Sequence, residues 1–366
     1  MDKKLTILLV LKDKTPFTWR WMNYANHIKL PFKVLIADGG KDQSVEKLKD
    51  KSLFPNVDYE YLRYPYDENF TAYWKKMADA TSLITTPYTM KASNDDFLFV
   101  DSIRESVRFL DENPDYSTAR GEIYGFEIKH AKKEESEVFG TLKNIDKQYH
   151  SPSITTDTAT ERIRDFCEKP NSLWHDVHRT EELKETYKIL SKLKIEDLSF
   201  AEYLMNALAV ASGKAYRGNG LYMLFQRTSG SGLAVTKKGP FDWVLSENWP
   251  KTFFDTTGII AQEIALRDKT EKDLIHDKVM QYYLAFFWGQ NMVADYVKRK
   301  SKNKPSIIIR FGRISNKKSV VRKLGKKIYF WTKNWKQKID DKKKFRRSPF
   351  CKEFKLIQDF LNNHGR

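Results

Sequence analysis

The sequence predicts an α/β fold, a mixed and mainly parallel sheet flanked by helices, followed by a helical, basic C-terminal extension. Three observations predict it. Short apolar runs rich in β-branched residues alternate with helix-like segments through residues 1–130. Acidic or glycine-bearing turns follow several of those runs. The positive charge of the chain is collected near its C-terminal end. Strands alternating with helices imply right-handed crossovers and a parallel sheet, in which ligands bind beyond the carboxyl ends of the strands.

Leu5-Thr6-Ile7-Leu8-Leu9-Val10-Leu11 is apolar except for Thr6, as expected of a strand buried on both faces. Pro16 opens a helical stretch over 16–28. Residues 33–37, Lys33-Val34-Leu35-Ile36-Ala37, form a second buried strand ended by Asp38-Gly39-Gly40, and a polar helix is expected over 42–51. Residues 57–62 alternate as a third strand, 71–83 read as a helix, and 88–92 as a fourth strand running into Ser93-Asn94-Asp95-Asp96. Helix returns over 100–110. Residues 131–170 are polar and weakly periodic. A strand is expected over 172–178 and helices over 180–192 and 198–211. Ser229-Gly230-Ser231-Gly232 has the composition of a mobile loop, and 270–297 looks helical and aromatic-rich.

At roughly 150 residues per domain, 366 residues suggest two domains or one large domain with an appendage. With 40% hydrophobic and 14% aromatic residues, the chain can bury a core, which excludes wholesale disorder. No apolar run approaches the ~20 residues of a membrane-spanning helix. The N-terminal apolar run meets Lys12-Asp13-Lys14 with no small-residue cleavage site, unlike a secretory signal. Cys167 and Cys351 cannot build a disulfide framework, and no Cys/His pattern suggests zinc; a reducing cytosolic compartment is expected. The net charge is +17. Residues 298–355 hold 23 Lys and Arg against 3 Asp and Glu, a balance of +20 that leaves −3 for everything else.

Four constellations could carry chemistry. In Asp38-Gly39-Gly40-Lys41-Asp42 the glycines let a ligand approach the backbone, and Asp38 can accept from a base imide or a ribose hydroxyl; an ordinary strand-to-helix turn has the same composition. It is neither a dinucleotide nor a P-loop fingerprint. Asn94-Asp95-Asp96 places two carboxylates at a buried strand end, which is costly without a positive partner. A divalent cation that also binds diphosphate would serve; helix capping would too. Glu196-Asp197 precedes a helix whose Phe200, Leu204 and Leu208 recur every fourth residue. A carboxylate there could deprotonate an acceptor hydroxyl or simply cap the helix. His175 and His178 fall on opposite faces of the expected strand, which favours hydrogen-bonded histidines, with His178 a further candidate metal ligand.

Taken in order, these stations resemble nucleotide-sugar glycosyltransferases of the GT-A, Rossmann-like fold, the family 2-like group. The Leu5–Leu11 run with Lys12-Asp13-Lys14 looks like that family's opening strand, usually ending in I-P-T-x-N-R. Ala37-Asp38-Gly39-Gly40-Lys41-Asp42 looks like its D-D-G-S-x-D turn, and Ser93-Asn94-Asp95-Asp96 sits where it has D-x-D-D. Glu196-Asp197 looks like its E-D motif. The resemblance covers about residues 5–225, with departures at Val10-Leu11, Ala37 and Ser93. It implies a donor site from Leu11, Lys12, Asp13, Asp38, Gly39, Lys91, Asn94 and Asp95. It also implies Mn²⁺ or Mg²⁺ held by Asp95 and Asp96, and Asp197 as catalytic base. The reaction would be an inverting transfer of a sugar, from a UDP-sugar by preference, to a glycan or lipid-linked acceptor in surface polysaccharide synthesis.

On this reading the catalytic domain spans 1–230, helices over 231–297 complete or flank it, and 298–366 form the basic aromatic extension. There Val321, Leu324, Ile328, Trp331 and Trp335 follow helical spacing among lysines and arginines, as in an interfacial helix on an anionic bilayer. That suggests a cytoplasmic protein peripheral to the inner membrane face; the slightly acidic body, without a recognised module, argues against nucleic acid. Two other readings compete. One is a nucleotidyltransferase on a related sheet, which the missing glycine-rich activation loop disfavours. The other is an inactive transferase scaffold that binds membrane or nucleic acid.

Overall fold

The computed structural model describes residues 1–129, 137–148, 152–170, 172–193, 195, 198–228, 244–287, 340 and 342–363. In chain order the strands are β1 (Leu5–Leu11), β2 (Lys33–Asp38), β3 (Tyr59–Arg63), β4 (Tyr88–Ser93), β5 (Phe97–Leu98), β6 (Tyr116–Lys129), β7 (Thr141–Lys147), β8 (Val177–Arg179) and β9 (Lys214–Gln226). The helices used below are α1 (Thr15–His27), α2 (Phe70–Ser82), α3 (Val100–Glu112), α4 (Ala159–Glu168), α5 (Thr180–Lys192), α6 (Leu198–Ser212), α7 (Trp249–Asp268), α8 (Lys272–Phe286) and α9 (Cys351–Asn363).

Among the described residues the strands form one sheet in the order β3-β2-β1-β4-β8-β6-β9-β5, with β7 paired to β6. The first four, β3-β2-β1-β4, are parallel. β8 is antiparallel to both β4 and β6, and β6 runs parallel to β9. The α/β class expected from the sequence is therefore present.

β1 shows why the sequence folds this way. Strand side chains alternate between faces: Leu5, Ile7, Leu9 and Leu11 enter the layer beneath α1 and α3, and Leu8 enters the opposite layer. Burying each such side chain is worth roughly 1.5–3 kcal/mol, so a one-residue slip in register would be heavily penalised. The opposite layer packs α2, α4, α5, α6, α7 and α8. At its centre Trp74 is fully buried, stacked on Tyr187 at 6.3 Å and edge-on to Trp174 at 6.0 Å.

Several expectations are corrected. Residues 42–51 form two 3₁₀ turns, Gln43–Lys49 and Lys51–Leu53, instead of a polar helix. The Asp42 and Asp50 carboxylates accept the N–H groups of Ser44 and Ser52, local bonds that compete with α-helix. Of the strand expected over 172–178 only Val177 and His178 join β8, because a turn from Leu173 O to Asp176 N, 3.1 Å, precedes it. The weakly periodic 131–170 stretch contributes β7 and α4. The Ser229–Gly232 loop, residues 288–297 and the stripe from Val321 to Trp335 lie outside the described residues.

The end of the chain returns to the body. Phe354, Ile357, Phe360 and Leu361 of α9 are buried against Tyr24, Phe97, Phe126 and Leu224 in a third apolar cluster. Among the described residues no helix is long and apolar enough to cross a membrane.

Candidate active site at the strand tips

β1, β2 and β4 pair in parallel, which carries their C-terminal ends to one edge of the sheet. Asp38 is the last residue of β2 and is buried. Its Oδ2 accepts from Tyr61 Oη and Arg63 Nη1, both at 2.7 Å, and its Oδ1 from the Gly40 N–H at 2.8 Å. Of a carboxylate's roughly four acceptor sites, one is filled by this turn and two by β3. Tyr61 and Arg63 share a face of β3 by alternation, and the register sets Arg63 opposite Asp38.

Beside it lies a second acid. The Asp67 N–H donates to Gly39 O at 3.0 Å, and its buried carboxylate is ion-paired with Lys76. Lys76 Nζ also donates to Leu11 O at 3.0 Å, so one ammonium ties the tip of β1 to the loop after β3. A Cβ on Gly39 would lie 2.5 Å from the Asp67 carboxyl, which is why glycine stands there. Burial raises the Asp67 pKa and lowers that of Lys76, each partner opposing the shift of the other.

The loop Lys12-Asp13-Lys14 runs between the β2 and β4 tips. Asp13 Oδ1 accepts from the Lys41 N–H at 2.8 Å, and Lys12 and Lys41 lie over the Tyr66 ring at 5.2 and 4.4 Å. On the β4 side, Asn94 Nδ2 donates to Thr18 Oγ1 at 3.0 Å and Lys14 O at 3.4 Å. Lys14 Nζ is 3.5 Å from Asp95 Oδ2. The Asp38 turn and the Asn94-Asp95 end of β4 thus both contact this one loop.

Arg20 supports the Asp95 end from below. It is buried and donates to Asp95 O at 2.6 Å, Gln226 Oε1 at 2.7 Å and Val138 O at 2.8 Å. Burial pulls its pKa down to about 10, with Asp95 and Asp96 opposing, so it stays charged at neutral pH. Asp96 turns inward: Oδ1 accepts the Gln226 N–H at 3.1 Å, and Oδ2 is buried without a hydrogen-bond partner. Burial, then the Asp95 charge, raises the Asp96 pKa well above the ordinary range, favouring a neutral carboxyl.

Other expected residues lie deeper or elsewhere. Lys91 is buried with its ammonium 3.4 Å from the centre of the Trp174 ring, and burial lowers its pKa strongly. His178 is not brought to this group. It pairs with Thr89 near the start of β4, away from the Asp95 end, and its Nε2 faces Leu173 O at 2.8 Å. Glu196 and Asp197 lie outside the described residues, immediately before α6.

These donors do not fit a divalent ion at the β4 tip. Such an ion takes six or more oxygens, typically with one or two free carboxylates. Here Ser93 supplies no carboxylate, Asp96 faces inward, and Asp95 Oδ2 already holds Lys14 and the Thr228 hydroxyl, the latter at 3.1 Å. Two like unit charges about 4 Å apart near a protein surface repel by roughly 4 kcal/mol, which a divalent ion doubles to about 8. Among the described residues no three His, Cys, Asp or Glu side chains gather as a metal site.

Sequence reasoning missed Lys14, Tyr61, Arg63, Asp67, Lys76 and Thr228. The alternation of β3 could have offered Tyr61 and Arg63 as a pair. Nothing local marks Thr228, which arrives 133 residues after Asp95 in the chain.

No family model and no curated protein matches the sequence. Solved structures do match. Residues 1–349 of TarS from S. aureus, in complex with UDP-GlcNAc, are similar over 79% of this chain and 74% of that one, at 13% identity and a TM-score of 0.52. The longer S. aureus TarS chain is similar over 80% of this chain but only 44% of its own length, at 12% identity and a TM-score of 0.50. The mannosyltransferase PcManGT from Pyrobaculum calidifontis, in complex with GDP-Man and Mn²⁺, covers 94% of this chain and 87% of that one at 11% identity and a TM-score of 0.42. At this identity the likeness shows the fold, a mixed and mainly parallel sheet flanked by helices, as expected from the sequence and shared with a chain crystallised with UDP-GlcNAc.

Proposed function

We propose that the protein transfers a sugar from a nucleotide-sugar donor, UDP-linked by preference, to a hydroxyl of a glycan or lipid-linked acceptor. One observation carries this: the β1, β2 and β4 tips converge on the Lys12-Asp13-Lys14 loop in a fold shared with a protein crystallised with UDP-GlcNAc. The nucleotide would lie against the turn held by Asp38, Gly39 and Asp67, with its diphosphate toward Lys14 and Asp95.

The acceptor hydroxyl must lose its proton as it attacks the anomeric carbon. Asp197, from the sequence motif, is assigned as the base, and direct displacement inverts the configuration. General-base help of this kind is worth ~10²–10⁴-fold. The test is Asp197→Asn, with donor binding followed by calorimetry and turnover by nucleoside diphosphate release. Unchanged binding with a 10²-fold or greater loss of turnover is expected; unimpaired turnover removes Asp197 from the reaction.

A further inference from the structure

The β4 tip is built around an ammonium. Lys14 Nζ donates to Thr228 Oγ1 at 2.8 Å and lies 3.5 Å from Asp95 Oδ2, and the Thr228 hydroxyl donates to that same oxygen at 3.1 Å. The backbone is bent to put it there. Asp13 and Lys14 have successive φ values of 56° and 55°, a left-handed conformation that non-glycine residues seldom adopt and that clusters at functional sites. Contacts on both sides hold this pair. Asp13 Oδ1 accepts the Lys41 N–H, and Lys14 O accepts the Asn94 amide and the Phe17 N–H that begins α1. From beneath, buried Arg20 fixes the Asp95 carbonyl. The strain and the bonds that maintain it have one visible result, a lysine aimed at the acid where the resemblance places a metal ion.

The geometry points to Lys14 as a tethered cation that takes the place of a dissociable divalent ion and meets the donor diphosphate, with Asp95 and Thr228 aiming it. A lysine ammonium is a compact point charge suited to phosphate, and it is already paired with the carboxylate an ion would need. Lys12 and Lys41, both over Tyr66, extend the cationic lining along the same loop. The inference rests on the nucleotide-sugar reading above.

The experiment uses the full chain and calorimetric titration with UDP, GDP, CDP and dTDP, each in excess EDTA and again with Mn²⁺. For the tightest-binding nucleotide, the wild type is expected to bind equally in both buffers, within about threefold. In EDTA, Lys14→Ala should weaken binding by roughly 10- to 100-fold, the usual worth of a hydrogen bond to a charged group, while Lys14→Arg keeps the charge and most of the affinity. Thermal melts establish that both variants are folded. A wild type that binds only with Mn²⁺ overturns the tethered cation while leaving the donor site standing. So does Lys14→Ala binding like the wild type, or Lys14→Arg binding as weakly as Lys14→Ala. If no nucleotide binds the wild type in either buffer, the glycosyltransferase reading falls, and this inference with it.

Discussion

Lys76 ties the tip of β1 to the loop after β3. Its ammonium joins Leu11 O to the Asp67 carboxylate, and both side chains of the ion pair are 2% exposed. A buried pair adds little net stability over an apolar replacement, yet removing one partner strands the other charge at a cost of about 3–5 kcal/mol. Lys76→Met is therefore expected to destabilise by that amount in urea unfolding, and adding Asp67→Leu should recover most of the loss. A change below about 1 kcal/mol in the single variant would mean that the pair is not desolvated as described. Arg63 with Asp38 is a contrasting case. Its guanidinium side is 24% exposed, so water screens it and its role is to hold the turn.

At the scale of elements, the short β8 and the turn before it bring two buried histidines into the sheet. Burial, then the nearby Lys91 charge, lowers the His175 pKa to about 3, and burial also lowers that of His178. Both are neutral when folded, while an unfolded histidine titrates near 6.5. The unfolded chain thus binds the extra proton, and stability rises with pH through this window. The contribution is fully present above about pH 6.5 and is lost as pH falls toward 3. For His175 alone the loss by pH 5 is about 2 kcal/mol relative to pH 7. A melting-temperature profile should fall over that range, and His175→Gln should flatten it by about one proton's worth. A profile indifferent to that substitution would mean that His175 does not stay neutral in the folded state. The elements legible in the sequence are those governed by local pattern. β1 and β2 are largely apolar runs, β4 is a short strand that runs into an acidic turn, and α2, α5 and α6 have regular apolar spacing with boundaries close to expectation. β6 and β9 escaped because their pairing joins segments about a hundred residues apart, and β7 and α4 because their sequences are polar. The same division holds in the site. Asp38, Gly39 and Asp95 stand out where strands end, whereas Asp67, Lys76 and Thr228 gain their roles only when distant segments meet.

At the scale of the whole molecule, the concentration of charge takes on a different meaning once α9 is seen. The sequence suggested an appendage over 298–366, yet its last helix buries Phe354, Ile357, Phe360 and Leu361 in the body, and Phe287 at the end of α8 is 2% exposed. The described residues on either side of 288–339, Phe287 and α9, are thus both buried in the folded body. Deleting 298–366 would uncover the third apolar cluster, at about 2–5 kcal/mol for each large side chain lost, and would confuse instability with loss of binding. A sounder variant exchanges the lysines and arginines of 298–339 for glutamine and leaves α9 in place. If the segment rests on an anionic bilayer, each cation near the surface adds ~1 kcal/mol, screened over a Debye length. The wild type should float with vesicles containing phosphatidylglycerol at low salt, float less as salt rises, and stay in solution with neutral vesicles. The glutamine variant should melt like the wild type and not float with either. A wild type that ignores anionic vesicles at low salt would remove the membrane surface expected from the sequence and leave the donor site untouched, because the basic segment and the strand tips draw on different residues.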